Sequence, residues 1–145
     1  VAQALAVALV ACAAAAAVVL ADAVPVKVSP THGSVHKTFI VRFTSQESLG
    51  VNGVAYSDYR VVVTGPQSAA SCTNRAEATI DHGAAGARVR ISLAPRSGGR
   101  WCAGRFGGAL FYEHGPYCPS GHTGPCPMFP STVTQVGQFE FRVGR

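Results

Sequence analysis

From Val24 onward, apolar and polar residues alternate along the chain, and no stretch holds a helical period. In "VPVKVSP", Val24, Val26 and Val28 share one face until Pro30 stops the run. "KTFIVRFT" sets Phe39, Val41 and Phe43 inward and Thr38 and Arg42 outward, with Ile40 out of phase. "SDYRVVVTGP" aligns Tyr59, Val61 and Val63 and ends at Gly65 and Pro66. The cleanest alternation is "ARVRISLAP", with Ala87, Val89, Ile91 and Leu93 inward against Arg88, Arg90 and Ser92. "RWCAGRFGGALFY" predicts a strand interrupted at Gly107 and Gly108, where glycine permits a bulge or bend. "GQFEFRVGR" places Phe139, Phe141 and Val143 opposite Glu140 and Arg142, and "AEATI" is a weaker strand.

Polar turns separate these runs at Asn52, at "DHGAAG", and across a long insertion from His114 to about Val133. The fold class predicted is all-β: a single antiparallel two-sheet sandwich of about seven strands. A small closed barrel fits the same rhythm.

The segment before Val24 follows a different pattern. Residues 1–23, "VAQALAVALVACAAAAAVVLADA", are almost wholly apolar and end in Ala-Asp-Ala, the small residues that signal peptidase accepts. They predict a signal peptide lacking its basic n-region, cleaved after Ala23, so that residues 24–145 form the mature domain. Two other readings compete. The run is long enough for an uncleaved membrane anchor, and "LVAC" at Leu9 to Cys12 fits a lipobox whose Cys12 would be lipidated. A membrane association is expected only in those two cases; otherwise the domain is secreted or held at the cell envelope.

The rhythm has a familiar counterpart. "VKVSPTHGSVHKTFIVRFT", the strand containing Tyr59, "RVRISLAP" and "RWCAGRFGGALFY" together resemble the immunoglobulin-like or fibronectin-type-III-like domains of exported bacterial proteins. The resemblance implies an Ig-like sandwich and a module that works by contact, since that architecture hosts many functions. Trp101 stands next to Cys102 instead of on an earlier strand, and Arg100 holds the place of the tyrosine-corner Tyr.

Cleavage after Ala23 removes Cys12 and leaves Cys72, Cys102, Cys118 and Cys126, an even set suited to an oxidising compartment. Four cysteines allow three pairings. The Gly/Pro-rich spacer favours Cys118 with Cys126, leaving Cys72 for Cys102. In the loop-entropy account the two closures contribute about 2.5 and 3.5 kcal/mol respectively, which matters in a small domain.

Charge adds one further constraint. The formal net charge of +5 rises by one when Asp22 is lost, and ten arginines outnumber two lysines. An anionic wall polymer is a conceivable partner for such a domain. Arg42, Arg88 and Arg90 should lie outside one sheet, and Arg60, Arg105 and Arg142 outside the other. Charge spread over both faces is the usual solvated surface. No nucleic-acid recognition motif is present.

The chain contains no G-x-S-x-G elbow, H-E-x-x-H, P-loop or dinucleotide fingerprint, so a non-catalytic protein without a cofactor is expected. Asp81 and His82 are adjacent turn residues. An enzyme whose site escapes motif reading is the remaining catalytic alternative. The aromatic run Trp101, Phe106, Phe111, Tyr112 and Tyr117 invites a glycan platform, but Trp101, Phe106 and Phe111 are needed to fill the core.

"HGPYCPSGHTGPCP" spaces His114, Cys118, His122 and Cys126 four apart, like the ligands of a metal on one helical face. Its glycines and prolines forbid that helix. A disulfide between Cys118 and Cys126 then removes both thiolates, so a pinned loop is expected, with metal binding through these four residues as the alternative. His32 and His36 would join that alternative only if the fold brings them to the same end. Binding residues are expected on this loop, at His114, Tyr117 and His122, for a protein or glycan partner.

Overall fold

A computed structural model describes residues 23–66, 71–96, 98–118 and 120–145. The expected signal peptide, Ala23 excepted, and the lipobox at Cys12 lie outside the described residues. Among those residues there are nine strands and no helix: β1 (Lys27–Ser29), β2 (His32–Gly33), β3 (Phe39–Thr44), β4 (Gly50–Asn52), β5 (Ala55–Thr64), β6 (Arg75–Ile80), β7 (Arg88–Leu93), β8 (Gly104–Pro116) and β9 (Thr132–Val143). The strands beyond the seven read from alternation are β2 and β4. With two and three residues they are too short to display a period.

The strands form two sheets packed as a sandwich. The small sheet has the order β1-β3-β7; the large one has the order β2-β9-β8-β5-β4, with β6 paired to the rest of the same edge of β5. All pairings are antiparallel except β2 with β9. The inward residues of both sheets meet as read: Phe39, Val41 and Phe43 from β3 and Val89, Ile91 and Leu93 from β7 face Tyr59, Val61 and Val63 from β5 and Phe139, Phe141 and Val143 from β9.

Aromatic rings dominate one half of this core. Phe141 lies 4.0 Å from Phe39, 5.0 Å from Phe106 and 6.0 Å from Trp101 between ring centroids. Edge-to-face and offset contacts of this kind add to the area each ring buries. The one polar group of Trp101 is satisfied, because its indole N–H donates to the Lys37 carbonyl at 2.8 Å. Cys72 and Cys102, with Cα atoms 4.9 Å apart, join the connection after β5 to the start of β8. The parallel bridge between Thr73 and Trp101 runs beside them.

Two expectations need correction. β8 is not interrupted at Gly107 and Gly108; it pairs continuously with β5 from Gly107 to Pro116. Gly108 faces the core opposite Phe139, and a Cβ there would come within 2.2 Å of that ring. The glycine makes room for a phenylalanine instead of breaking the strand. The loop from His114 to Val133 is also shorter than read, because β8 runs to Pro116 and β9 already begins at Thr132. Cross-strand pairing carries β8 through His114, Gly115 and Pro116, which have weak strand propensity, while β9 starts on the β-branched Thr132, Val133 and Thr134.

The irregularity in this hairpin lies elsewhere. Between Leu110 and Phe111 the register shifts so that Val136 is left without a counterpart on β8. Its carbonyl accepts a hydrogen bond from the N–H of Val24 at 2.7 Å. Gly137 lets the N-terminal segment approach, since a Cβ there would meet Val26 at 2.6 Å. The start of the domain is thereby tied to β9 before β1 joins the other sheet. Phe111 alternates with the inward Phe106, Gly108 and Leu110 of β8 and pairs with Arg60, so this ring, expected in the core, lies half-buried on the outer face of the large sheet.

Candidate functional site

The segment between β8 and β9 is held at several points. The Tyr117 N–H donates to the Val54 carbonyl at 2.8 Å, which fastens the segment to the β4–β5 turn. Cys118 and Cys126 form a disulfide with Cα atoms 5.5 Å apart. The ring of His114 stacks on Phe129, with centroids 5.9 Å apart and planes at 26°. Gly115 is pressed against Tyr56 and Ser131, too closely for any side chain. Glycines at positive φ, Gly121 and Gly124, turn the chain between the cysteines.

These contacts decide what the histidines can do. His114 is half-buried under its stack, Tyr117 is half-buried, and His122 is exposed. The disulfide consumes the two thiolates that the metal alternative requires. Among the described residues, no three His, Cys, Asp or Glu side chains group so as to hold a metal ion. His32 does not join the loop: it pairs at the Arg142 end of β9 while His114 pairs at the Thr132 end, roughly 30 Å along the strand. His36 is fixed separately, with Nδ1 3.3 Å from the Gly99 carbonyl oxygen.

Sequence reading missed the apolar character of this end. Among the described residues, the large hydrophobic side chains that stand exposed are Val51, Val54, Met128 and Val133, with Met128 97% accessible. Val51 and Val54 belong to the β4–β5 hairpin and its turn, Met128 to the pinned loop, and Val133 to the base of β9. The link from Tyr117 to Val54 and the pairing of Val133 with Glu113 place all four at one end of the large sheet. Each looked unremarkable in sequence, because isolated exposed hydrophobics are common and only pairing gathers them.

The outer face of the large sheet is polar and mostly paired internally, the exception being Arg142, which lies opposite Arg105 without a carboxylate of its own among the described residues. Tyr56 donates its hydroxyl to Glu113 at 2.9 Å, and the Arg60 guanidinium reaches Glu77 at 3.5 Å and Glu113 at 4.0 Å. The same guanidinium lies 5.8 Å above the Phe111 ring. Arg75 pairs with Glu77 at 3.7 Å and Arg105 with Glu140 at 3.8 Å. Asp58 is the uncomfortable member: burial first, and then the neighbouring Glu113 carboxylate, push its carboxyl above the usual range. Its Oδ1 has no hydrogen-bond partner. A shallow groove of about 580 Å³ is floored by Gly107 and Ala109 and walled by Phe111, Gln135, Gln138 and Glu140.

Asp81 and His82 do touch, at 3.1 Å, but on an exposed turn. That hydrogen bond lowers the Asp81 carboxyl below its usual range. Of the aromatic run, Trp101 and Phe106 are buried, while Phe111, Tyr112 and Tyr117 are half-buried, Tyr112 packing against Tyr59. Comparison of the chain with protein-family models, with curated proteins and with solved structures gives no match.

Proposed function

We propose that the protein is an exported, non-catalytic module of immunoglobulin-like, fibronectin-type-III-like type that acts through contact with a protein partner at the cell envelope or outside the cell. The strand order supports the architectural part. Taking the seven strands other than β2 and β4 in sequence, the first, second and fifth share one sheet, while the third, sixth and seventh share the other, as in immunoglobulin domains. The fourth, β6, sits beside the third instead of the fifth, which departs from the constant-type layout. The two disulfides suit an oxidising environment. No helix among the described residues is long and apolar enough to cross a membrane.

The observation that carries the functional part is the apolar end formed by Val51, Val54, Met128 and Val133. Exposed apolar side chains gathered at one place and rimmed by polar residues are the mark of a protein contact surface. The pinning of the loop reduces the entropy lost on binding. A glycan reading is favoured by a different feature, the groove beside Phe111 with its two glutamines and a glutamate.

Photo-crosslinking in the native cells tests the choice. A photoreactive residue at Met128 or Val54 is expected to give one discrete protein adduct that the same residue at Gln138 in the groove does not give. Adducts at Gln138 alone, or none above background at any position, would contradict the protein-contact reading.

A further inference from the structure

The outer face of the small sheet carries a feature that the contact end does not explain. In the antiparallel register, Lys27 lies opposite Arg42 on the neighbouring strand, and Arg42 lies opposite Arg90 on the next. Three cations thus form one row across β1, β3 and β7. Strands lie about 4.8 Å apart, so the row spans roughly 10 Å. Arg88 stands two residues from Arg90 on the same face, opposite Thr44. All four side chains are exposed, and with Pro25 and Thr44 they line an open depression.

Nothing on this sheet compensates them. Glu47, Asp58, Glu77, Asp81, Glu113 and Glu140 are the acidic residues of the described chain, and none lies on β1, β3 or β7. None of the four cations has an ion-pair partner among the described residues. Like charges directly opposite each other destabilise a strand pair, and this sheet contains that arrangement twice. A surface whose only task is solvation would be served by mixed signs, as on the other sheet.

We infer that this face is a binding site for a linear polyanionic glycan, a polysaccharide with carboxylate or sulfate groups along its length. Its flat, open form suits an extended polymer lying across the strands more than a small anion, which needs an enclosing pocket. Guanidinium groups present planar donor pairs matched to carboxylate and sulfate oxygens. A lipid surface fits less well, because the exposed large hydrophobics needed to enter it are at the other site. The glycan as source of the negative charge rests on the exported reading; the cationic row does not.

The test is binding of the whole chain to polygalacturonate and dextran sulfate, with neutral dextran, phosphatidylglycerol-containing vesicles and duplex DNA alongside. Binding to one or both acidic polysaccharides, weakening steeply with salt, is expected, and none to neutral dextran. The R42S/R90S double variant should bind at least tenfold more weakly with a shallower salt dependence, while its melting temperature holds or rises because repulsion is removed. R96S/R100S, which removes the same charge from the β7–β8 connection, should stay within twofold of wild type. Equal losses in the two double variants would reduce the effect to net charge and overturn the site. Absence of polysaccharide binding at about 0.1 M salt, or tighter binding to vesicles or DNA than to either polysaccharide, would overturn the ligand class. None of these readings depends on the apolar end, so they stand apart from the crosslinking result.

Discussion

The two outer faces of the sandwich handle charge in opposite ways. On the large sheet Arg60, Arg75 and Arg105 each have a carboxylate within 4.0 Å, Arg60 also covers Phe111, and Arg142 opposite Arg105 is the exception. On the small sheet Lys27, Arg42 and Arg90 stand in one row with Arg88 on the same face, and no carboxylate lies among them. The same residue type therefore supports the fold on one side and burdens it on the other. Net charge alone conceals this: a modestly basic chain can be balanced on one face and strongly cationic on its opposite.

What keeps the faces apart is the core between them, so the largest effect is expected there. Phe141→Ala removes a ring in contact with Phe39, Phe106 and Trp101, and a loss of about 3–5 kcal/mol in urea unfolding is expected. A loss below about 1 kcal/mol would mean that the rings are not packed as described. Next comes the bond that ties β8 to the β5–β6 connection. Replacing Cys72 and Cys102 together by serine should cost about 3.5 kcal/mol, against about 2.5 kcal/mol for the Cys118 and Cys126 pair. The reverse ranking in thermal melts would show that the loop staple bears more on stability than its short closure implies.

The comparison itself is sharpened by single cations. Arg60→Ala should destabilise by about 1 kcal/mol, through the lost ring contact and weak ion pairs. Arg42→Ser should instead stabilise by a few tenths of a kcal/mol, or about that. Added salt should shrink both effects, since each depends on partly exposed charge. Effects of the same sign in urea titrations would erase the difference between the faces.

The smallest effect concerns the one strained carboxylate on the balanced face. Burial and Glu113 raise the Asp58 carboxyl above its ordinary value of 3.8, so the folded state prefers it protonated. The wild type is thus penalised once the pH rises through that raised value, and relieved below it. Asp58→Asn should gain a few tenths of a kcal/mol at neutral pH after allowance for solvent screening. The gain should fade as the pH falls toward 3.8. A gain that persists undiminished in acid would point to packing instead of charge.

Much of the sandwich was legible in the alternation. Val89, Ile91 and Leu93 face the core as their period requires, and Arg88 and Arg90 face water. Phe111 was misplaced because its size was weighed above its phase: it stands one residue from Leu110 and out of step with Phe106, Gly108 and Leu110, which face the core. Gly108 misled because glycine signals a bend until a ring on the neighbouring strand fills its space; Gly107 beside it faces outward with no such neighbour. His114 and His122 stood out by their regular spacing with Cys118 and Cys126, and Tyr117 as an aromatic residue on the same loop. The structure instead draws attention to Val51, Val54, Met128 and Val133, which no spacing connects.

By itself, then, the sequence determined the all-β class, the inward side of most strands and the segments free to turn. These follow from neighbours two residues apart and from the backbone limits of glycine and proline. Only the tertiary structure decided which strands lie side by side. That choice set Arg42 between Lys27 and Arg90, brought Val54 to Tyr117, and separated His32 from His114. Strand pairing is settled by the packing of a whole sheet, and the character of each face is a consequence of that pairing.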